Sequence, residues 1–151
     1  MAAQSSKRSV RVMRFTGKEL PATAGTYYQG SLICWDTSVG RVVKGAASTT
    51  LRPIGLCTED KVVANNGDAL HVTLFREVQA TWFVNLAAAP VLAANRGQLC
   101  FIADDQSVRV DDNTNACSVA GLVWDVDTVK GVLVEPRFVA DRATTTPGLD
   151  T

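Results

Sequence analysis

The sequence predicts an all-β protein: a compact sandwich or small barrel of roughly eight to ten short strands, at most one short helix and an extended N-terminal arm. Three observations carry this. Apolar residues recur with a period of two, as strands require, because successive side chains point to opposite faces. Turn-forming residues, including glycines and Asn- or Asp-rich clusters, interrupt the chain at regular spacing. Only residues 87–96 have helical composition.

The opening residues, Met-Ala-Ala-Gln-Ser-Ser-Lys, are small and polar, and disorder is expected there unless a partner holds them. Residues 9–15 read as an extended strand, with Val10 and Val12 opposite Arg11 and Met13, and residues 21–25 as a break. A strand over 27–35 places Tyr28, Leu32 and Cys34 on one face and Ile33 and Trp35 on the other. Val42 and Val43 form a short apolar pair between Gly40 and Gly45. Pro53 introduces a short buried strand over 54–57. Asn65-Asn-Gly-Asp68 is an Asn-Gly turn signal.

The longest alternation follows. Val72, Leu74, Val78, Ala80, Trp82 and Val84 fall on one face, with Arg76 interrupting; His71, Thr73, Phe75, Glu77, Gln79, Thr81 and Phe83 fall on the other. It exceeds the usual strand of about 5–6 residues, so a bend or break is predicted near 76–79. Residues 87–96 allow one or two helical turns, with Pro90 near the start and Gly97 just past the end. Strands follow at 99–103 and 107–110, then a polar turn at 111–115. The clearest element is a hairpin. Leu122, Trp124 and Val126 alternate with Val123, Asp125 and Asp127, and Val132 and Val134 alternate with Leu133 and Glu135, across a glycine-bearing loop. Gly121 marks a close backbone approach or a bulge, and Trp124 is expected to be buried.

At 151 residues the chain suits one domain and can bury a sizeable core. That β domain is assigned to 21–138, between a basic arm (1–20) and a C-terminal tail (139–151) without packing material. Composition, 46% hydrophobic and 20% charged, is that of a soluble globular protein. The formal net charge of zero conceals a split, because Lys7, Arg8, Arg11, Arg14 and Lys18 all precede the first acid, Glu19. Such a segment suits either an arm that finds an acidic partner surface or a strand edge kept soluble by its cations. It lacks the interleaved aromatics of a nucleic-acid binder, and no nucleic-acid partner is expected.

No apolar run approaches the roughly 18–20 residues that cross a bilayer, and the N-terminus lacks the apolar core of a secretory signal. Synthesis in a cytoplasm and no membrane partner are therefore expected. Cys34, Cys57, Cys100 and Cys117 are scattered without a C-x-x-C pair, three of them in apolar runs, and read as small buried hydrophobes.

Catalytic chemistry finds little support. The single histidine, His71, sits within strand alternation, and neither a Gly-x-Ser-x-Gly elbow nor a phosphate-binding glycine loop occurs. Asp104-Asp105, Asp111-Asp112 and Asp125/Asp127 are candidates for calcium ligands, but no Asp-x-Asp-x-Asp-Gly loop accompanies them, and turn formation explains them more simply. Tyr27, Tyr28, Trp35, Trp82 and Trp124 could stack sugars or bases; alternating with aliphatics, they suit core or interface anchors better. No catalytic residue, metal or cofactor is expected.

Five segments then occur in one order: Phe83-Val-Asn85, Pro90-Val-Leu-Ala-Ala-Asn-Arg-Gly97, Ala103-Asp-Asp-Gln-Ser-Val108, Ser118-Val-Ala-Gly-Leu-Val-Trp-Asp-Val-Asp127 and Gly131-Val-Leu-Val134. In this order and spacing the chain resembles the capsid cement, or head decoration, proteins of tailed bacteriophages and prophages. The likeness weakens between Gly30 and Val72 and is absent from arm and tail. It departs at Asn95, where the family often has Asp, and at Cys117, where it often has Arg. The resemblance implies a non-enzymatic virion protein on the capsid exterior. It implies the major capsid protein as partner and a homo-oligomer, a trimer in preference to a dimer. The cationic residues Lys7, Arg8, Arg11, Arg14 and Lys18 are then the expected capsid-binding set. The alternatives are another virion subunit (tail-tube, head-completion or minor capsid) and a carbohydrate-binding β module.

Overall fold

The computed structural model describes residues 17–75 and 80–137. The protein is all-β: among these residues lie twelve strands and one 3-10 turn. The first half supplies β1 (Lys18–Pro21), β2 (Gly25–Tyr27), β3 (Leu32–Asp36), β4 (Arg41–Lys44), β5 (Leu51–Cys57), β6 (Lys61–Val63) and β7 (Ala69–Leu74). The second supplies β8 (Thr81–Asn85), the 3-10 turn Ala93–Asn95, β9 (Leu99–Ile102), β10 (Ser107–Arg109), β11 (Val119–Asp127) and β12 (Gly131–Pro136).

Five strands of the first half form an antiparallel sheet in the order β1-β7-β5-β3-β4. It curls until its ends meet. Just past β1, Ala22 forms a parallel bridge with Val42 of β4, and Thr23 donates its N–H to the Val42 carbonyl at 2.8 Å. The β2–β6 ribbon adds Tyr27 and Val63 to the core of this half, beside Ala22, Ile33, Val42, Cys57, Leu70 and Val72. The second half is a closed barrel in the order β10-β8-β12-β11-β9. Closure there leaves no free strand edge. The β8–β10 pair is parallel and the other pairs are antiparallel.

Strand β3 belongs to both cores, which is why its residues are apolar on both faces. Leu32 and Cys34 pack with the barrel residues Phe83, Cys100, Ile102, Val108, Val123, Val132 and Val134, while Ile33 and Trp35 face the first-half core. The alternation expected for these four residues is therefore observed. Their strand is shorter than expected. The run 27–35 divides at a turn in which Ser31 donates to the Tyr28 carbonyl at 3.1 Å and Gly30 takes φ 87°, so Tyr28 lies in the turn and off the predicted face. This division, together with the unforeseen β6, helps raise the strand count above eight to ten.

Pro53 lies within β5, not before it. Gly55 pairs with Ile33 and Pro53 with Cys34, so Ile54 bulges from the ladder, and the bulge accommodates a proline that has no N–H to offer. The break predicted in the long alternation is present, since β7 ends at Leu74 and β8 begins at Thr81. Its phase differs from the reading. Leu70 and Val72 are buried in β7, but in β8 Phe83 is buried while Trp82 and Val84 are exposed. The two strands serve different sheets, so nothing holds them to one alternation. The helical stretch reduces to the single turn at Ala93–Asn95. The strand expected at 9–15 and the tail 139–151 lie outside the described residues.

Candidate functional site

The outer face of the barrel carries large exposed apolar side chains. Along β8, Phe83 points into the core and leaves Trp82 and Val84 outside. Trp82 stands directly opposite Leu133 of β12, and the Lys130 ammonium lies 5.6 Å from its ring centroid, within cation–π range. On the far side of β12 the β11 ladder slips. Val123 pairs with Val134 and Asp125 with Leu133, leaving Trp124 as the extra residue of a bulge.

The phase of β11 overturns one expectation. A bulge sets two residues against one and shifts the alternation beyond it. Trp124 follows the buried Val123 and so points out, 55% exposed, while the slip brings Val126, opposite the buried Val132, against the core. Trp124 is not a buried anchor. Trp82 and Trp124 instead flank Leu133 on the outer surface. Asp125, also outside, binds Arg96 through Nε at 3.0 Å and Nη2 at 2.8 Å, and the guanidinium holds its carboxyl below the usual carboxylate range.

Next to this strip a groove of about 510 Å³ runs between the loop before the 3-10 turn and the β11–β12 turn. Val84, Leu92 and Val129 line it, and Val129 is 91% exposed. Asn85 builds one wall. Its Nδ2 donates to the Val91 carbonyl and its Oδ1 accepts the Val91 N–H, both at 2.8 Å. Asn95 Oδ1 accepts the Leu92 N–H at 2.7 Å, a bond that a carboxylate oxygen could equally accept. Opposite, Asp127 accepts the Val129 and Lys130 N–H groups at 2.7 and 2.8 Å. Those main-chain donors hold its carboxyl below the usual range.

The other residues singled out from the sequence are dispersed. Lys7, Arg8, Arg11 and Arg14 lie outside the described residues. Lys18 opens β1, opposite Val72 in the other sheet, so the last residues assigned to the arm are strand. His71 is on β7, its Nδ1 2.7 Å from Thr58 Oγ1. Asp104 accepts the N–H groups of Gln106 and Ser107, and Asp111 that of Asn113 and the Arg109 Nε. Among the described residues, no group of three His, Cys, Asp or Glu side chains is placed to hold a metal ion, and no helix is long and apolar enough to cross a membrane. All four cysteines are buried, and none is in a disulfide. Burial pushes the Cys34 thiol up, and the Cys100 thiol up to about 12. The role of Asn85 was not read from the sequence; only its place in the Phe83-Val-Asn85 segment marked it.

Compared with protein-family models, curated proteins and solved structures, the chain matches none.

Proposed function

We propose that this protein is a non-catalytic structural component of a phage virion, a head decoration protein. It would adhere to the outside of the capsid and strengthen the shell by bridging neighbouring copies of the major capsid protein. One observation carries the adhesive part: Trp82, Leu133 and Trp124 form an outward apolar strip on a closed barrel, beside a groove walled by Val84, Leu92 and Val129. Exposed apolar surface of this kind marks interaction sites, and tryptophans are the residues most enriched among binding hot spots. The phage assignment rests on the ordered segments of residues 83–134 that resemble the cement family. The cationic residues Lys7, Arg8, Arg11, Arg14 and Lys18 act as a second contact, and a homo-oligomer, preferably a trimer, multiplies weak contacts through effective concentration.

The test is sedimentation of the purified protein with expanded, empty heads of the phage that encodes it. Co-sedimentation that is lost in Trp82→Ala and Trp124→Ala supports the reading. Absence of binding to heads overturns it. Electron microscopy of virions that locates the protein in the tail or at the portal favours another virion subunit.

A further inference from the structure

Where the two halves meet, the turn joining β2 to β3 faces the turn joining β9 to β10, and Leu32 donates its N–H to the Asp105 carbonyl at 2.7 Å. Between the turns opens a pocket of about 460 Å³ lined by Tyr28, Gln29, Gly30, Ser31, Asp105 and Gln106. Its main chain is tied down. The Gln29 N–H binds the Asp60 carboxylate at 2.8 Å, and the Gly30 N–H binds the Cys57 carbonyl at 2.8 Å. The Gln106 N–H binds Asp104 Oδ1 at 2.9 Å, and the Gln106 carbonyl accepts the Val84 N–H at 2.8 Å.

The side chains, by contrast, are uncommitted. Among the described residues the Tyr28 phenol, the Gln29 and Gln106 carboxamides, the Ser31 hydroxyl and the Asp105 carboxylate have no hydrogen-bond partner. Asp104 next door is spent on main-chain N–H groups; Asp105 is not. Ser31 is only 7% exposed as a residue, and it lines this pocket. Tyr28 is 59% exposed.

The set is chemically specific. Carboxamides both donate and accept, the hydroxyl does the same, and the carboxylate accepts. Together they match the vicinal hydroxyls of a sugar ring, while an exposed phenol offers a flat surface to its C–H face. A single carboxylate among neutral groups does not make a cation site, and the polar lining does not suit an apolar ligand. We propose that this pocket binds a neutral saccharide, with Tyr28 as the stacking platform and Gln29, Ser31, Asp105 and Gln106 as hydrogen-bonding partners. The site shares no residue with the Trp82 strip or its groove, and the inference does not rest on capsid docking.

The test is binding of the full chain to immobilised neutral oligosaccharides built from hexoses and N-acetylhexosamines, followed by calorimetry with the strongest hit. Saccharide binding is expected. Tyr28→Ala and Gln106→Ala should each weaken it about tenfold or more, with unchanged circular dichroism. Asp105→Asn, which keeps an acceptor and removes the charge, should stay within about threefold of the parent. No binding to any saccharide, or equal binding by Tyr28→Ala, overturns the proposal. Collapse of binding in Asp105→Asn together with binding of a simple primary amine by the parent overturns the neutral-sugar assignment. Tyr28→Ala should still sediment with heads as the parent does, so failure of the one reading is visible apart from failure of the other.

Discussion

The hydroxyl of Ser118 accepts the main-chain N–H of Leu51 at 3.2 Å, across 67 residues of sequence. The same hydroxyl donates to the Ser48 carbonyl. Leu51 opens β5 in the first sheet, and Ser118 immediately precedes β11 in the barrel, so one buried side chain ties the two halves beside the core that Leu32, Cys34 and Leu51 share with the barrel.

Ser118→Ala should therefore destabilise the whole fold. It removes both bonds and leaves a buried N–H without a partner, a cost of about 1–3 kcal/mol. Urea unfolding followed by tryptophan fluorescence should show a lower midpoint with one transition, because the halves share a core.

Trp124→Ala and Phe83→Ala should behave oppositely although both remove an aromatic from the barrel. Trp124 is outside at a bulge, and surface substitutions usually change stability by less than about 0.5 kcal/mol. Phe83 is buried in the core, where truncation costs about 3–5 kcal/mol. Thermal melts of the two variants decide this; equal losses would place Trp124 against packing partners.

Gly131→Ala should be among the most damaging single-carbon changes. Gly131 has φ 98°, and a Cβ there would run into the Phe83 carbonyl oxygen on β8. Both the left-handed conformation and the collision with main chain oppose the substitution, for a loss above about 1 kcal/mol. Calorimetry should show a clearly lowered melting temperature.

The four thiols should be silent toward an aromatic disulfide reagent at pH 8 in the native protein and react fully in denaturant. All four are buried, and burial raises the Cys34, Cys57 and Cys100 values, which suppresses the reactive thiolate. Rapid native labelling of any of them would contradict the structure.

Acid should weaken the fold. At Asp36, burial alone would raise the pKa, but hydrogen bonds from Ser38 and Thr50 and the nearby Arg41 charge outweigh it. Asp125 and Asp127 are lowered by Arg96 and by main-chain N–H groups respectively. A depressed folded pKa stabilises fully above the unfolded value, about 3.9 for aspartate, and this stabilisation disappears as pH falls through the folded value. Melting temperature should thus be flat from neutrality to about pH 5 and decline below. Asp127→Asn, which keeps an acceptor for the Val129 and Lys130 N–H groups, should flatten part of that decline.

Local chemistry made much of this molecule readable from the chain alone. Period-two alternation named the β class and the β11–β12 hairpin, the Asn-Gly pair named the turn at residues 65–68, and Gly121 marked a close approach that its position against the Glu135 carbonyl requires. The burial of the cysteines followed from their apolar neighbours. Each of these depends on a few consecutive residues, through pleat, turn geometry or hydrophobicity.

Tertiary structure alone decided which face of a strand is inside. Trp124 points out because Val123, paired with Val134, is the inward residue of β11, and Phe83 faces inward because β8 joins a different sheet from β7. Likewise, the Tyr28 pocket exists only because residues 28–31 and 105–106 are brought together by the meeting of the two halves. Register and closure are set by strands distant in sequence, and a shift of one residue exchanges core for surface without altering the local pattern.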